Sequence, residues 1–160
     1  MNHKEIERKY LLCFVDICSF LSSNSCEFVE IHQCYLDEFT RVRFVEGKYE
    51  LTIKSKCDTI RDEFTYPLSL TTDQFNSLKQ FLPHISKKRY KICCDREGIV
   101  EVVIDVYDDM SVMEVEYDSI KSLNIPLEEI VSHDIIKCIE EEVTGDESYS
   151  NYCLAKRGVK

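Results

Sequence analysis

The chain reads as an α+β protein, mainly β, built on an antiparallel sheet of about eight strands with flanking helices. Three observations predict this. Segments that alternate apolar and polar residues, the period of a half-buried strand, recur at about 3–10, 27–36, 40–46, 49–56, 60–68, 86–94, 99–107 and 112–118. Tight turns join neighbouring segments, notably Glu46-Gly47-Lys48 and Asp95-Arg96-Glu97-Gly98. Only two stretches carry a clear helical period. A sheet of about eight strands is able to close on itself around an interior that holds a small ligand.

The first helix is expected over about 72–82. Thr71 and Gln74 have the spacing of a capping box, Phe75, Leu78 and Leu82 form the apolar stripe, and Pro83 ends it. The second should open near Pro126 and run to about Val143, with Ile130, Val131, Ile135, Ile139 and Val143 as its stripe and Gly145 as its stop. Residues 13–24 fit a loop or a short helix. No repeat, low-complexity segment or Pro/Gly-rich linker divides the 160 residues, so one domain over 1–160 is expected.

Composition excludes several classes. A net charge of −10 is the wrong sign for a general nucleic-acid binder. No apolar run approaches the roughly 20 residues of a membrane span. The start, Met1-Asn2-His3-Lys4-Glu5, lacks the apolar core of a secretion signal. The nine cysteines are odd in number and scattered, with no CxxC and no Cys/His ligand spacing. Reduced thiols in a cytoplasmic protein are the expectation. His3, His32, His84 and His133 are equally isolated.

The chemistry lies in the charged positions. In Glu5-Ile6-Glu7-Arg8-Lys9-Tyr10 residues two apart point the same way, so Glu5, Glu7 and Lys9 share a face. Carboxylates suit Mg²⁺ or Mn²⁺, and an ammonium suits phosphate. The pattern recurs along the chain. The third strand offers Arg41 and Arg43, the fourth Lys54, the fifth Arg61 and Glu63, and the sixth Lys87 and Arg89. The seventh offers Glu101 and Asp105, and the eighth Glu114 and Glu116. Ile6, Val42, Phe44, Ile104, Val106, Val115 and Tyr117 occupy the opposite faces.

Alternating charge on a strand is most often the solvated side of an antiparallel sheet. Two observations weigh against that reading here. The signs are sorted, acidic on the first, seventh and eighth strands and basic on the third, fourth and sixth, whereas ordinary surfaces mix them. Several strands also repeat the same pair spacing of two residues.

Together these residues resemble the CYTH domain family, the triphosphate tunnel metalloenzymes. Glu5 to Tyr10 is similar to its ExExK signature, Gln33-Cys34-Tyr35-Leu36 to its second-strand motif, and Arg41-Val42-Arg43 to its paired arginines. Leu51-Thr52-Ile53-Lys54, Arg61 to Leu68 and Lys87-Lys88-Arg89-Tyr90 follow in the family's order. Ile104-Asp105-Val106, Glu114-Val115-Glu116 and Glu142 to Asp146, with Tyr149-Ser150-Asn151 and Leu154-Ala155, complete it. The resemblance covers nearly the whole chain. It implies an eight-stranded closed β-barrel with the charged face inside, and metal-dependent hydrolysis of a triphosphate with Mg²⁺ or Mn²⁺. It implies metal ligation by Glu5, Glu7, Asp105, Glu114 and Glu116, and phosphate binding by Lys9, Arg41, Arg43, Lys54, Arg61, Lys87 and Arg89. Lys9, Lys54 and Glu63 are the residues it places closest to catalysis, with Glu63 orienting neighbouring cations.

Inorganic tripolyphosphate is the expected substrate. A class IV adenylate cyclase or thiamine triphosphatase would use nearly the same ionic set. A non-catalytic polyphosphate or nucleotide binder is the alternative of another class. The expected partner is the small-molecule substrate, without nucleic acid or membrane, and a homodimer is left open.

Overall fold

The computed structural model describes residues 2–56 and 61–159, without the side chains of Asn2 and His3. Cys57 therefore lies outside the described residues. Ten strands are present: β1 (Asn2–Glu5), β2 (Glu7–Leu12), β3 (Val29–Tyr35), β4 (Thr40–Val45), β5 (Lys48–Lys54), β6 (Arg61–Leu68), β7 (His84–Lys91), β8 (Ile99–Val106), β9 (Ser111–Tyr117) and β10 (Ile139–Glu142). The helices are α1 (Phe14–Ser23), α2 (Thr72–Phe81), α3 (His133–Ile136) and α4 (Asn151–Lys156).

Hydrogen bonds order the sheet β1-β6-β5-β4-β3-β7-β8-β9-β2-β10. Each pairing of described register is antiparallel. The expectation of eight strands closed into a barrel is corrected: among the described residues there are ten strands, and β1 and β10 end an open order. Two local events account for the extra strands. The segment expected as one strand breaks at Ile6, so that β1 pairs with β6 while β2 pairs with β9. At the other end, residues expected to finish a helix form β10 along β2.

The second helix is thus also corrected. A 3₁₀ turn (Leu127–Glu129), the single turn of α3 and β10 replace it. Its stripe is largely buried all the same, with Ile130, Val131, Ile135 and Val143 each under a tenth exposed. The edge of β2 wins over helical period because its backbone groups need partners. Cys13 N–H donates to the Cys138 carbonyl at 2.7 Å, and Val143 N–H to that of Lys9 at 2.8 Å. The 13–24 segment, open from sequence, is α1, which buries Ile17 and Leu21.

The chain forms two compact units: Met1–Lys4, Val29–Lys87 and Asp146–Lys160 make the first, Glu5–Phe28 and Lys88–Gly145 the second. In the first, alternation sorts β3 to β6 into two faces. Cys34, Val42 and Phe75 form a buried cluster with Phe44, Tyr49, Leu51 and Leu68 packed against it. Helix α2 supplies Phe75 and Leu78. Its capping box is present as predicted, Gln74 N–H donating to Thr71 Oγ1 at 3.1 Å and Thr71 N–H to Gln74 Oε1 at 2.9 Å. In the second unit, Leu12, Ile104, Met113 and Val115 are buried on one side of β2, β8 and β9. The opposite faces carry the charges.

Gly98, in the turn before β8, has φ of +94°, and a Cβ there would stand 2.7 Å from Ser122 Oγ and 2.8 Å from Ile125 Cδ1. Gly47 also has positive φ (+78°) but opens onto space. Gly98→Ala should therefore cost about 2–3 kcal/mol, strain and overlap together. Gly47→Ala should cost only about 1 kcal/mol. Denaturant midpoints of the two variants check this; equal losses would contradict the packing around Gly98.

Candidate functional site

In the first unit the register brings the basic residues together. Thr52 stands opposite Arg41 on β4 and β5, and Lys54 opposite Glu63 on β5 and β6. Glu63 is shared between two cations: Lys54 Nζ lies 3.3 Å from Glu63 Oε2, and Arg41 Nη2 lies 3.7 Å from Oε1. Burial pushes the Glu63 carboxyl up, but Lys54, Arg41 and Arg43 outweigh it and hold it below the usual carboxylate range. Arg43 donates from Nε to Gln33 Oε1 at 2.7 Å. Arg61 lies 3.9 Å from Glu147, and Lys87 donates to Asn151 Oδ1 at 3.4 Å. Arg41 and Lys87 are 7% and 4% exposed, which no solvated sheet face would give.

Arg41 Nε is buried and has no hydrogen-bond partner. An unsatisfied donor of this kind costs about 1–3 kcal/mol, more on a charged group. An anion oxygen would satisfy it.

The second unit carries the acidic residues. Glu7 stands opposite Glu116, Lys9 opposite Glu114, and Arg89 opposite Asp105. Lys9 Nζ lies 3.6 Å from Glu114 and 4.0 Å from Glu7. Burial alone would pull the Lys9 ammonium down, but Glu114, Glu7, Glu5 and Asp105 together hold it above its ordinary value. It stays charged. Glu5, at the end of β1, therefore remains an electrostatic neighbour of Lys9 although the strand breaks at Ile6.

Asp105 is fully buried, and both of its oxygens accept from Arg89, Nε at 2.7 Å and Nη2 at 2.8 Å. Arg89 Nη2 also lies 3.8 Å from Glu114. Burial lowers the Arg89 pKa, and Asp105 and Glu114 more than reverse this. Asp105, expected among the metal ligands, is also the bidentate counter-ion of Arg89.

The acidic row has a further member. Glu101 also stands opposite Glu116, so Glu7, Glu116 and Glu101 sit side by side on β2, β9 and β8. Lys91 Nζ lies 3.1 Å from Glu101. Like charges directly opposed destabilise a sheet unless a cation offsets them. Among the described residues, no three His, Cys, Asp or Glu groups form a ready-made metal cage. These donors still fit Mg²⁺ or Mn²⁺ in kind. Mg²⁺ is typically held by one or two carboxylates together with substrate phosphates, not by a dedicated protein cage.

Three polar groups have no role in the sequence reading: Gln33, Glu147 and Asn151. Gln33 carried a readable signal, a polar residue midway between Ile31 and Tyr35 on one strand face. Asn151 belongs to the closing motif of the resemblance but had no role there, and nothing local marks Glu147; they reach Lys87 and Arg61 from the C-terminal segment. The eight described cysteines are free thiols. Among the described residues no helix is long and apolar enough to cross a membrane.

No protein-family profile and no curated protein sequence matches the chain. Solved structures do. The inorganic triphosphatase NE1496 is 26% identical, with 94% of this chain and 93% of that one covered and a TM-score of 0.60. The protein bh2851 of Bacillus halodurans, a candidate adenylate cyclase, is 18% identical over 88% of this chain and 95% of its own, with a TM-score of 0.58. HpAC1 from Hippeastrum, reported with a dominant triphosphatase activity, is 14% identical over 96% of each chain, with a TM-score of 0.51. The antiparallel sheet, its sorted charges and these structural likenesses agree with the motifs in the sequence, and the chain has the CYTH fold.

Proposed function

We propose that the protein hydrolyses a triphosphate, with inorganic tripolyphosphate as substrate and Mg²⁺ or Mn²⁺ as cofactor. The observation that carries this reading is Arg41, a buried guanidinium whose Nε has no partner beside a carboxylate already shared with Lys54. Such a group is stabilised by an anion of high charge. The likeness to NE1496, an inorganic triphosphatase, supports the same substrate class.

The roles divide by charge. Arg41, Arg43, Lys54, Arg61, Lys87, Lys9 and Arg89 are the groups suited to phosphoryl oxygens. Arginines bind them through bidentate forks, lysines as point charges. Glu63 holds Lys54 and Arg41 in position. Glu5, Glu7, Glu114 and Glu116 receive the divalent cation that accompanies the triphosphate, while Asp105 keeps the Arg89 plane fixed. A bound cation neutralises phosphate charge and lowers the pKa of an attacking water. Phosphoryl transfer needs this positioning and electrostatic support more than covalent participation.

Phosphate release from tripolyphosphate, ATP, thiamine triphosphate and pyrophosphate, each with Mg²⁺ and Mn²⁺, tests the proposal; the ATP reaction is also checked for cyclic AMP. Tripolyphosphate should be cleaved fastest, and EDTA should abolish turnover. No phosphate release from any substrate would overturn the reading, and full activity in EDTA would overturn its metal.

Variants should separate binding from chemistry. Arg41→Ala should raise KM about tenfold or more, the worth of one hydrogen bond to a charged group, with kcat less affected. Glu116→Gln should instead lower kcat about a hundredfold, the scale of losing one preorganised electrostatic contact. Equal modest effects in two folded variants would contradict the division of roles.

A further inference from the structure

Within the second unit, the residues that follow β10 reach back to the backbone of Lys9. The Lys9 carbonyl accepts from Val143 N–H at 2.8 Å, and the Lys9 N–H donates to Thr144 Oγ1 at 2.9 Å. A continuing ladder would offer that N–H a carbonyl. Here β10 ends at Glu142 and a side-chain hydroxyl takes the carbonyl's place.

Glu142 decides which way the hydroxyl points. Thr144 Oγ1 donates to Glu142 Oε1 at 3.0 Å and stands 3.5 Å from the Lys9 carbonyl. A hydroxyl has one hydrogen, and the shorter, charge-assisted bond claims it, which leaves the lone pairs for the Lys9 N–H. The same Glu142 oxygen lies 3.8 Å from Arg8 Nε. Both side chains of that pair are well exposed, so it contributes little stability. What it sets is direction: a line from Arg8 through Glu142 and Thr144 closes on the residue beside Arg8.

The Lys9 side chain depends on such a hold. Its ammonium stands 3.6 Å from Glu114 and 4.0 Å from Glu7, both longer than a hydrogen bond. These carboxylates attract the ammonium without fixing it, whereas Arg89 is fixed by two bonds to Asp105 under 3 Å. A lysine has a flexible four-carbon stem, so where its head comes to rest follows from where its backbone is held.

We propose that Thr144, oriented by Glu142, is a positioning residue for Lys9. It pins the Lys9 backbone from the β10 side of β2 and so sets where the ammonium meets a phosphate oxygen. This rests on the triphosphate reading above and deepens it.

The experiment is calorimetric binding of tripolyphosphate in metal-free buffer to the wild type, Thr144→Val, Thr144→Ser, Lys9→Met and the Thr144→Val/Lys9→Met double variant, with a melting temperature for each. Thr144→Val keeps the shape and loses the hydroxyl; it should raise Kd about fivefold, the worth of one hydrogen bond. Thr144→Ser restores the hydroxyl and should bring Kd back to within about twofold of the wild type. In the Lys9→Met background Thr144→Val should add almost nothing, since residues acting as one unit are not additive. A merely structural threonine would lower the melting temperature and leave Kd unchanged, or weaken binding equally with and without the Lys9 ammonium. Either result would overturn the inference. If Thr144→Val does not fold, the same cycle with Thr144→Ala decides alone. No binding of tripolyphosphate by the wild type would overturn the triphosphate reading itself, which is a separate outcome.

Discussion

One carboxylate between two cations is the contact on which the first unit's charged face depends. Glu63 lies within 4 Å of both Lys54 and Arg41, and all three side chains are less than a fifth exposed. Away from water such charges interact more strongly than on a surface, so the arrangement survives only where each is matched or hydrogen-bonded. Glu63 answers two positive charges with one negative charge. The Arg41 Nε that it leaves without a partner is one of two buried polar side-chain atoms, with Ser111 Oγ, that go unsatisfied among the described residues. A polyanion would satisfy Arg41. That buried donor separates the face from an ordinary wet sheet.

The second unit shows the opposite imbalance. Glu7, Glu116 and Glu101 lie abreast on neighbouring strands, a placement that costs stability unless cations stand nearby. Lys9 stands beside Glu7 and Glu114, and Arg89 beside Asp105 and Glu114; these carboxylates outweigh burial and keep both cations protonated. The two units therefore carry complementary surpluses, cationic on one and carboxylate on the other.

Much of this was legible in the sequence because strand period is strict. A residue two positions from another shares its face, so Arg41 with Arg43, Glu7 with Lys9, and Glu114 with Glu116 could be sorted before any coordinates. The Thr71–Gln74 capping box was legible for the same local reason. What stayed hidden depends on partners distant in sequence. The Ile130 to Val143 stripe has a helical period, yet the open edge of β2 recruits Ile139–Glu142 as a strand. Nothing around Ile6 announces the break that gives ten strands in place of eight. Asp105 reads like any other carboxylate of an acidic strand, and only the cross-strand register gives both its oxygens to Arg89. The alternation could not say whether the charged faces are wet or buried; the exposures of Arg41, Lys87 and Asp105 decide that.

The central claim is that these charged faces are completed by a bound polyanion, and melting temperature in metal-free buffer tests it most directly. A ligand that binds only the folded state stabilises it by about 2.7 kcal/mol at a hundredfold excess over Kd. For a chain of this length that raises the melting temperature by several degrees. Tripolyphosphate should give a saturable rise of that size, and monophosphate at matched ionic strength very little. A melting temperature that does not move with tripolyphosphate, or moves equally with both salts, would contradict the account.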